Sequence, residues 1–180
     1  MFNFFKREDP GVVKVSDRVW MSTEAKWGAC AKMAKASDSC VFVCWFEQTH
    51  QSLTEYLAAR VRDANVVLAS DLSKTDGGKL YIFVEHYPLR KIEQKLFADL
   101  GLLEAHVLCG LDEPLFQQFG GERIVNVMER LGMNEDEIVG HTMVTKAIAK
   151  AQKKMGEKVE VETKTRSSEE WYEVNLKSQS

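Results

Sequence analysis

The chain has 180 residues, of which 44% are apolar and 28% charged, with a net charge of −3. This is the balance of an ordinary folded chain, long enough for one domain and a tail, and it excludes intrinsic disorder. The mild negative charge argues against whole-chain attraction to nucleic acid or an anionic membrane.

No apolar run approaches the roughly 18 residues that cross a bilayer. The opening MFNFFKRED is apolar and then charged, the reverse of a signal peptide, so a soluble cytoplasmic protein is expected. Four cysteines, Cys30, Cys40, Cys44 and Cys109, lie in or beside apolar segments without a CxxC pair, which reads as reduced, buried thiols.

In chain order, residues 1–11 carry no periodicity and read as an N-terminal arm. Residues 12–21 (VVKVSDRVWM) are β-branched and partly alternating, which predicts an edge strand. Ser22 or Thr23 then caps a helix running to about Lys35, with Trp27, Cys30, Ala31 and Ala34 as its apolar stripe. Residues 41–46 (VFVCWF) are continuously apolar, as in a strand covered on both faces in a parallel sheet. Thr49 caps the next predicted helix, 50–61, which turns Leu53, Leu57 and Val61 to one side. A second apolar strand follows at 65–70, then a polar turn around Gly77 and Gly78 and a third strand at 80–84. Pro88 suits the first turn of a helix over 89–100, facing inward with Ile92, Leu96 and Leu100. Residues 106–109 (HVLC) make a fourth short strand.

Alternating strand and helix predicts an α/β fold with a mostly parallel sheet flanked by helices. A helical pair comes next, over 122–155. Ile124, Val127, Met128 and Leu131 line the first helix, which Gly132 ends; Val144, Ala147, Ile148 and Ala151 line the second, which Gly156 ends. In the tail, 157–180, KVEVETKT alternates, Arg166-Ser-Ser makes a turn and EWYEVNL can return, so it reads either as a β-hairpin or as a frayed end. In a hairpin Trp171 and Tyr172 point to opposite faces, which leaves one exposed as a contact residue.

The segment 122–155, with ERI, MERLGM, an acidic turn, His141, MVTKAI and AQKK, resembles the region after the second motor domain of SecA, the preprotein translocase ATPase family. The likeness extends backwards. GGKLYIFVEH at 77–86 resembles that family's GG-L-H-I-I-G-T-E-R, and RKIEQKL at 90–96 resembles its R-R-I-D-N-Q-L. Residues 10–155 are covered, tightly in the last third and loosely before. The resemblance implies a RecA-like, helicase C-terminal-like domain of the P-loop NTPase second-domain type, spanning 12–156 between the arm and the tail.

It also implies ATPase motifs, and these are degenerate. Hydrolysis needs a G-x-x-x-x-G-K-[ST] loop to hold the phosphates, and none occurs in the 180 residues. The family's T-N-M-A-G-R-G-T-D loop corresponds to 65–74, which lacks the glycine and arginine. Its Q-L-R-G-R-S-G-R motif aligns with Lys95, Leu96, Phe97, Ala98, Asp99, Leu100, Gly101 and Leu102. Both finger positions are lost, and such a finger contributes about 10³–10⁵ in rate. The expectation is a non-catalytic module with no catalytic residues and no required cofactor, acting through protein contacts with an export motor or another RecA-like domain.

Three alternatives are weighed against that reading. A residual ATP- or ADP-binding surface would use Glu47, Thr49, Glu85 and Arg90. A metal site would draw on Asp71, Glu85, Cys109, Cys44, His50 and His86, but the spacing matches no zinc signature. A small cysteine-dependent enzyme would use Cys44, with His50, or Cys109, yet no orienting acid or oxyanion loop is recognisable. The candidate partner contacts are Arg90, Lys91, Lys150, Lys153 and Trp171. Against them stand the simpler readings of solvated helix faces and a helix C-terminus that favours lysine through its dipole.

Overall fold

The computed structural model describes residues 12–118, 120–130, 132–139 and 142–177. The expected arm at 1–11, and Leu131 and His141 of the helical pair, lie outside the described residues.

The apolar runs become strands β2 (Cys40–Cys44), β3 (Asn65–Leu68) and β4 (Leu80–Phe83). With β1 (Lys14–Trp20) and β5 (Glu104–Gly110) they form a five-stranded sheet in the order β1-β5-β4-β2-β3, every pair parallel. As the sequence predicts, β1 is an edge strand. Period-two alternation along the strands divides the core. Phe42, Cys44, Ile82, Val84 and Leu108 meet α1 (Thr23–Ala36) and α2 (Glu47–Ala58) on one face. Val41, Val43, Phe83 and Val107 meet α3 (Arg90–Asp99), α6 (Thr142–Lys158) and α7 (Ser168–Lys177) on the other. Two covered faces explain why these strands are continuously apolar. Short α4 (Pro114–Gln117) and α5 (Gly121–Arg130) lie between β5 and α6.

Several expectations change. The tail forms no hairpin: 159–167 is irregular and α7 follows. Ser167-Ser-Glu-Glu170 is an S-x-x-E helix start, in which the Ser167 hydroxyl accepts from the Glu170 amide at 3.1 Å and Glu170 accepts from the Arg166 amide. Helical rather than strand periodicity then turns both Trp171 and Tyr172 inward, so neither is exposed. The other helix boundaries shift less. Ser22 caps α1 as expected, accepting from the Ala25 amide. Gly156 lies inside α6, which continues to Lys158. Gly132 does close the end of α5, at φ +77°, with Met133 N–H donating to Met128 and Gly132 N–H to Glu129. Val127, assigned to the inward stripe, is half exposed, and Val125 packs with Ile124 and Met128 instead.

Candidate functional site

Strands β2 and β4 are neighbours, but α2 leaves the first toward one face and α3 leaves the second toward the other. The loops after them part, and a crevice opens at the carboxyl ends of the strands, where open α/β sheets bind ligands. Here the chain closes that crevice with its own groups.

Glu85, one residue beyond Val84, reaches across to the β2–α2 turn. Its Oε1 accepts from the amides of Trp45 at 2.9 Å and Phe46 at 3.1 Å, and its Oε2 accepts from the Thr49 hydroxyl at 2.8 Å. A carboxylate distant in sequence therefore does what a local cap was expected to do. Hence α2 starts at Glu47 and Thr49 falls inside its first turn, where the sequence placed it as the cap. Burial pushes the Glu85 carboxyl up to about 7, against the opposing pull of Lys26 and the Thr49 bond.

Lys26 of α1 is 1% exposed. Its Nζ donates to the Val84 carbonyl at 2.6 Å and forms an ion pair with Glu113. Burial alone would lower the ammonium, but Glu113 outweighs it, so Lys26 stays charged well above its usual range. Glu113 also accepts from the Gly110 amide at 2.8 Å. Above this pair lies a small cleft of about 180 Å³, lined by Lys26, Thr49, Ser52, Glu85, Glu113 and Glu169 among others. Three carboxyl groups thus face the cleft with two cationic groups that are already paired, Lys26 with Glu113 and His86 with Asp17 and Glu93.

Next to Glu85, His86 joins two acids: its Nδ1 lies 2.7 Å from Glu93 and its Nε2 2.9 Å from Asp17. Burial opposes the imidazolium, but Glu93, Cys109 and Asp17 hold it well above its usual value. Asp17, raised by burial, is lowered overall through its bond to and charge interaction with His86. Glu93 accepts further from the Tyr87 amide and from Gln152 of α6. These donors turn α3 so that Glu93 and Phe97 are its buried residues, while the expected Ile92 and Leu96 are only partly buried.

The tail closes a second side. Arg166 Nε donates to Glu47 at 2.7 Å, and the Gln48 amide donates to the Arg166 carbonyl. Glu162 accepts from the Tyr87 hydroxyl and, at 2.7 Å, from Trp171 Nε1. Tyr87 stacks on Phe46 with ring centroids 5.7 Å apart and meets Trp171 edge-on. Between this segment and α3 a cavity of about 490 Å³ carries Lys95 and Lys164 beside Glu47, Asp99 and Glu162, so it has no anion-selecting excess of positive charge.

Of the proposed nucleotide surface, the fold brings Thr49 and Glu85 together. Glu47 is exposed and held by Arg166, and Arg90, partly buried at the start of α3, is not among the cleft residues. Of the proposed contacts, Lys91, Lys150 and Lys153 are exposed, whereas Trp171 is 0% exposed and is withdrawn as a contact. Among the described residues no group of three or more His, Cys, Asp or Glu is arranged to hold a metal ion. His50 meets the Val66 carbonyl. Cys44 and Cys109 are fully buried; burial raises both thiols, that of Cys109 to about 12. Sequence reasoning missed Lys26, Glu93 and Glu113. The one hint was Lys26 standing four residues before Cys30, on the buried stripe of α1.

A parallel five-stranded sheet between two helical layers, with its crevice at the β2/β4 divergence, is a doubly wound α/β domain, consistent with a RecA-like fold. Comparison with known proteins agrees. The chain is 34% identical over 100 residues to the protein translocase subunit SecA of Chlorobium limicola, covering 53% of this chain and 10% of that protein. It is 36% identical over 88 residues to that of Prosthecochloris aestuarii, covering 47% and 8%. The SecA of Flavobacterium psychrophilum is 30% identical over 100 residues, covering 53% and 9%. No family model matches the chain. It therefore resembles SecA over about half its own length, and spans about a tenth of the length of these relatives.

Proposed function

We propose that the chain is a non-catalytic, SecA-related module that acts through protein–protein contacts in protein export. The observation that carries this reading is the closed crevice. The amides of Trp45 and Phe46, placed where an open α/β sheet meets its ligand, are already bonded to Glu85. The adjoining cleft adds Glu113 and Glu169, and its two cationic groups are already paired, Lys26 with Glu113 and His86 with Asp17 and Glu93. A nucleotide phosphate entering there meets carboxylates, while the turn amides and the lysine are already engaged, so the charge stabilisation that phosphoryl transfer needs is not on offer. Support for the export setting is the likeness to protein translocase subunits. The partner class that follows is an export motor or another RecA-like domain, and the setting is the cytoplasmic side of the membrane.

Titration with ATP and ADP to millimolar concentration, followed by melting temperature and by Trp45 fluorescence, tests the reading. No shift is expected with either ligand. A dose-dependent rise in melting temperature would overturn it in favour of a nucleotide-binding protein.

A further inference from the structure

Away from the crevice, α5 and α6 leave a groove of about 530 Å³. Its floor is apolar: Ile124 of α5 and Val144, Ala147 and Met155 of α6. Its rim carries Lys150, Lys154 and Lys158, exposed and four residues apart, so they stand in one row along α6. Among the described lining residues there is no carboxylate. From Val144 to Lys158 the row and floor extend about 21 Å at helical rise, the length of four turns.

An apolar floor with a single-sign rim selects its occupant. An apolar peptide alone would leave the lysines unpaired, and a basic helix would be repelled by all three. We infer that this groove docks an acidic amphipathic helix of a partner protein, its apolar stripe on Ile124, Val144, Ala147 and Met155 and its carboxylates along the lysine row. This rests on the protein-contact reading above and names the surface and the chemistry of the partner. Lys150, one of the contacts read from the sequence, belongs to this rim; Lys153 is not among the lining residues.

The test uses the full chain and two labelled synthetic helices of about 18 residues. Both carry leucines at i, i+3, i+4 and i+7; one has glutamates on its flanks and the other lysines. Fluorescence anisotropy at low and moderate salt is expected to show micromolar binding of the acidic helix, weakening as salt rises, and binding of the basic helix about tenfold weaker or less. The triple variant Lys150→Glu, Lys154→Glu, Lys158→Glu changes exposed positions only, so it should still fold cooperatively, with a melting temperature lowered modestly by acids at the C-terminal end of α6. It should invert the preference between the two peptides. Equal affinity for both peptides, no binding at millimolar concentration, or an unchanged preference in the triple variant would overturn the inference. So would sedimentation showing a dimer that this variant dissociates, because the occupant would then be a second copy of the chain. The nucleotide titration has a separate readout: a melting shift with ATP removes the protein-contact reading in favour of nucleotide binding, whereas peptide failure removes only the groove.

Discussion

Replacing Glu85 by Gln tests the electrostatics of the closed crevice directly. The glutamine oxygen can still accept from the Trp45 and Phe46 amides, and its amide can donate to the Thr49 hydroxyl, so the bonding pattern survives without a titrating group. In the folded parent the Glu85 carboxyl is raised by burial to about 7, whereas in the unfolded chain it sits near 4.3, its ordinary value. Between those values the folded state keeps a proton that the unfolded state has released, so the contribution of Glu85 to stability falls as pH rises through this window. The span corresponds to roughly 3 kcal/mol, complete by about pH 8. His86, held above its usual value, contributes stability that is present below about pH 6.5 and fades as pH rises through its folded value. Asp17, held lower, contributes stability that is lost in acid. Both are present in parent and variant and cancel in the difference. Urea unfolding followed by tryptophan fluorescence from pH 4 to pH 8 supplies the numbers. The stability of the parent minus that of the variant should drop by roughly 3 kcal/mol across the range. A difference that stays flat to within about 1 kcal/mol would refute a Glu85 carboxyl raised by burial.

Other perturbations probe the rest of the arrangement. Lys26→Met leaves Glu113 without its cation and the Val84 carbonyl without its donor; about 3–5 kcal/mol should be lost in urea titration at pH 7, and Lys26→Met with Glu113→Leu should recover part of it. Recovery of nothing by the double variant would mean that the pair is not an isolated unit. Trp171→Ala removes a fully buried side chain bonded to Glu162; a cost of about 3–5 kcal/mol is expected, and one below about 1 kcal/mol would mean that the tail does not pack on Tyr87. The four buried thiols should resist a thiol reagent at pH 8 in the folded protein and all react in urea. Fast labelling of Cys44 or Cys109 in the native state would revive a cysteine-based activity.

The α/β alternation, the parallel sheet with β1 at its edge, the Ser22 cap and the glycine ending α5 were all legible in the sequence. Each rests on local chemistry: an apolar period, a side chain that reaches its neighbouring amides, a residue that tolerates positive φ. The likeness to SecA was legible as well, read from contiguous text such as MERLGM and MVTKAI. The α7 start was written there too, in Ser167-Ser-Glu-Glu170, but the alternating KVEVETKT before it pointed to a strand. Neither sheet edge takes that segment up; Glu162 is held by Tyr87 and Trp171 instead.

What only the tertiary structure decided is where the charged residues go. Glu85 caps a turn 39 positions away, Glu93 turns inward because His86, Tyr87 and Gln152 donate to it, and Lys26 is buried because Val84 and Glu113 receive its ammonium. Sequence periodicity ranks residues by the cost of losing water, and by that rule Lys and Glu face outward. A buried charge reverses the ranking only when several partners converge on it, and those partners come from separate strands and helices. The sequence therefore determined the scaffold and its resemblance to SecA. The convergence of partners that fills the crevice at the β2/β4 divergence exists only in the folded chain.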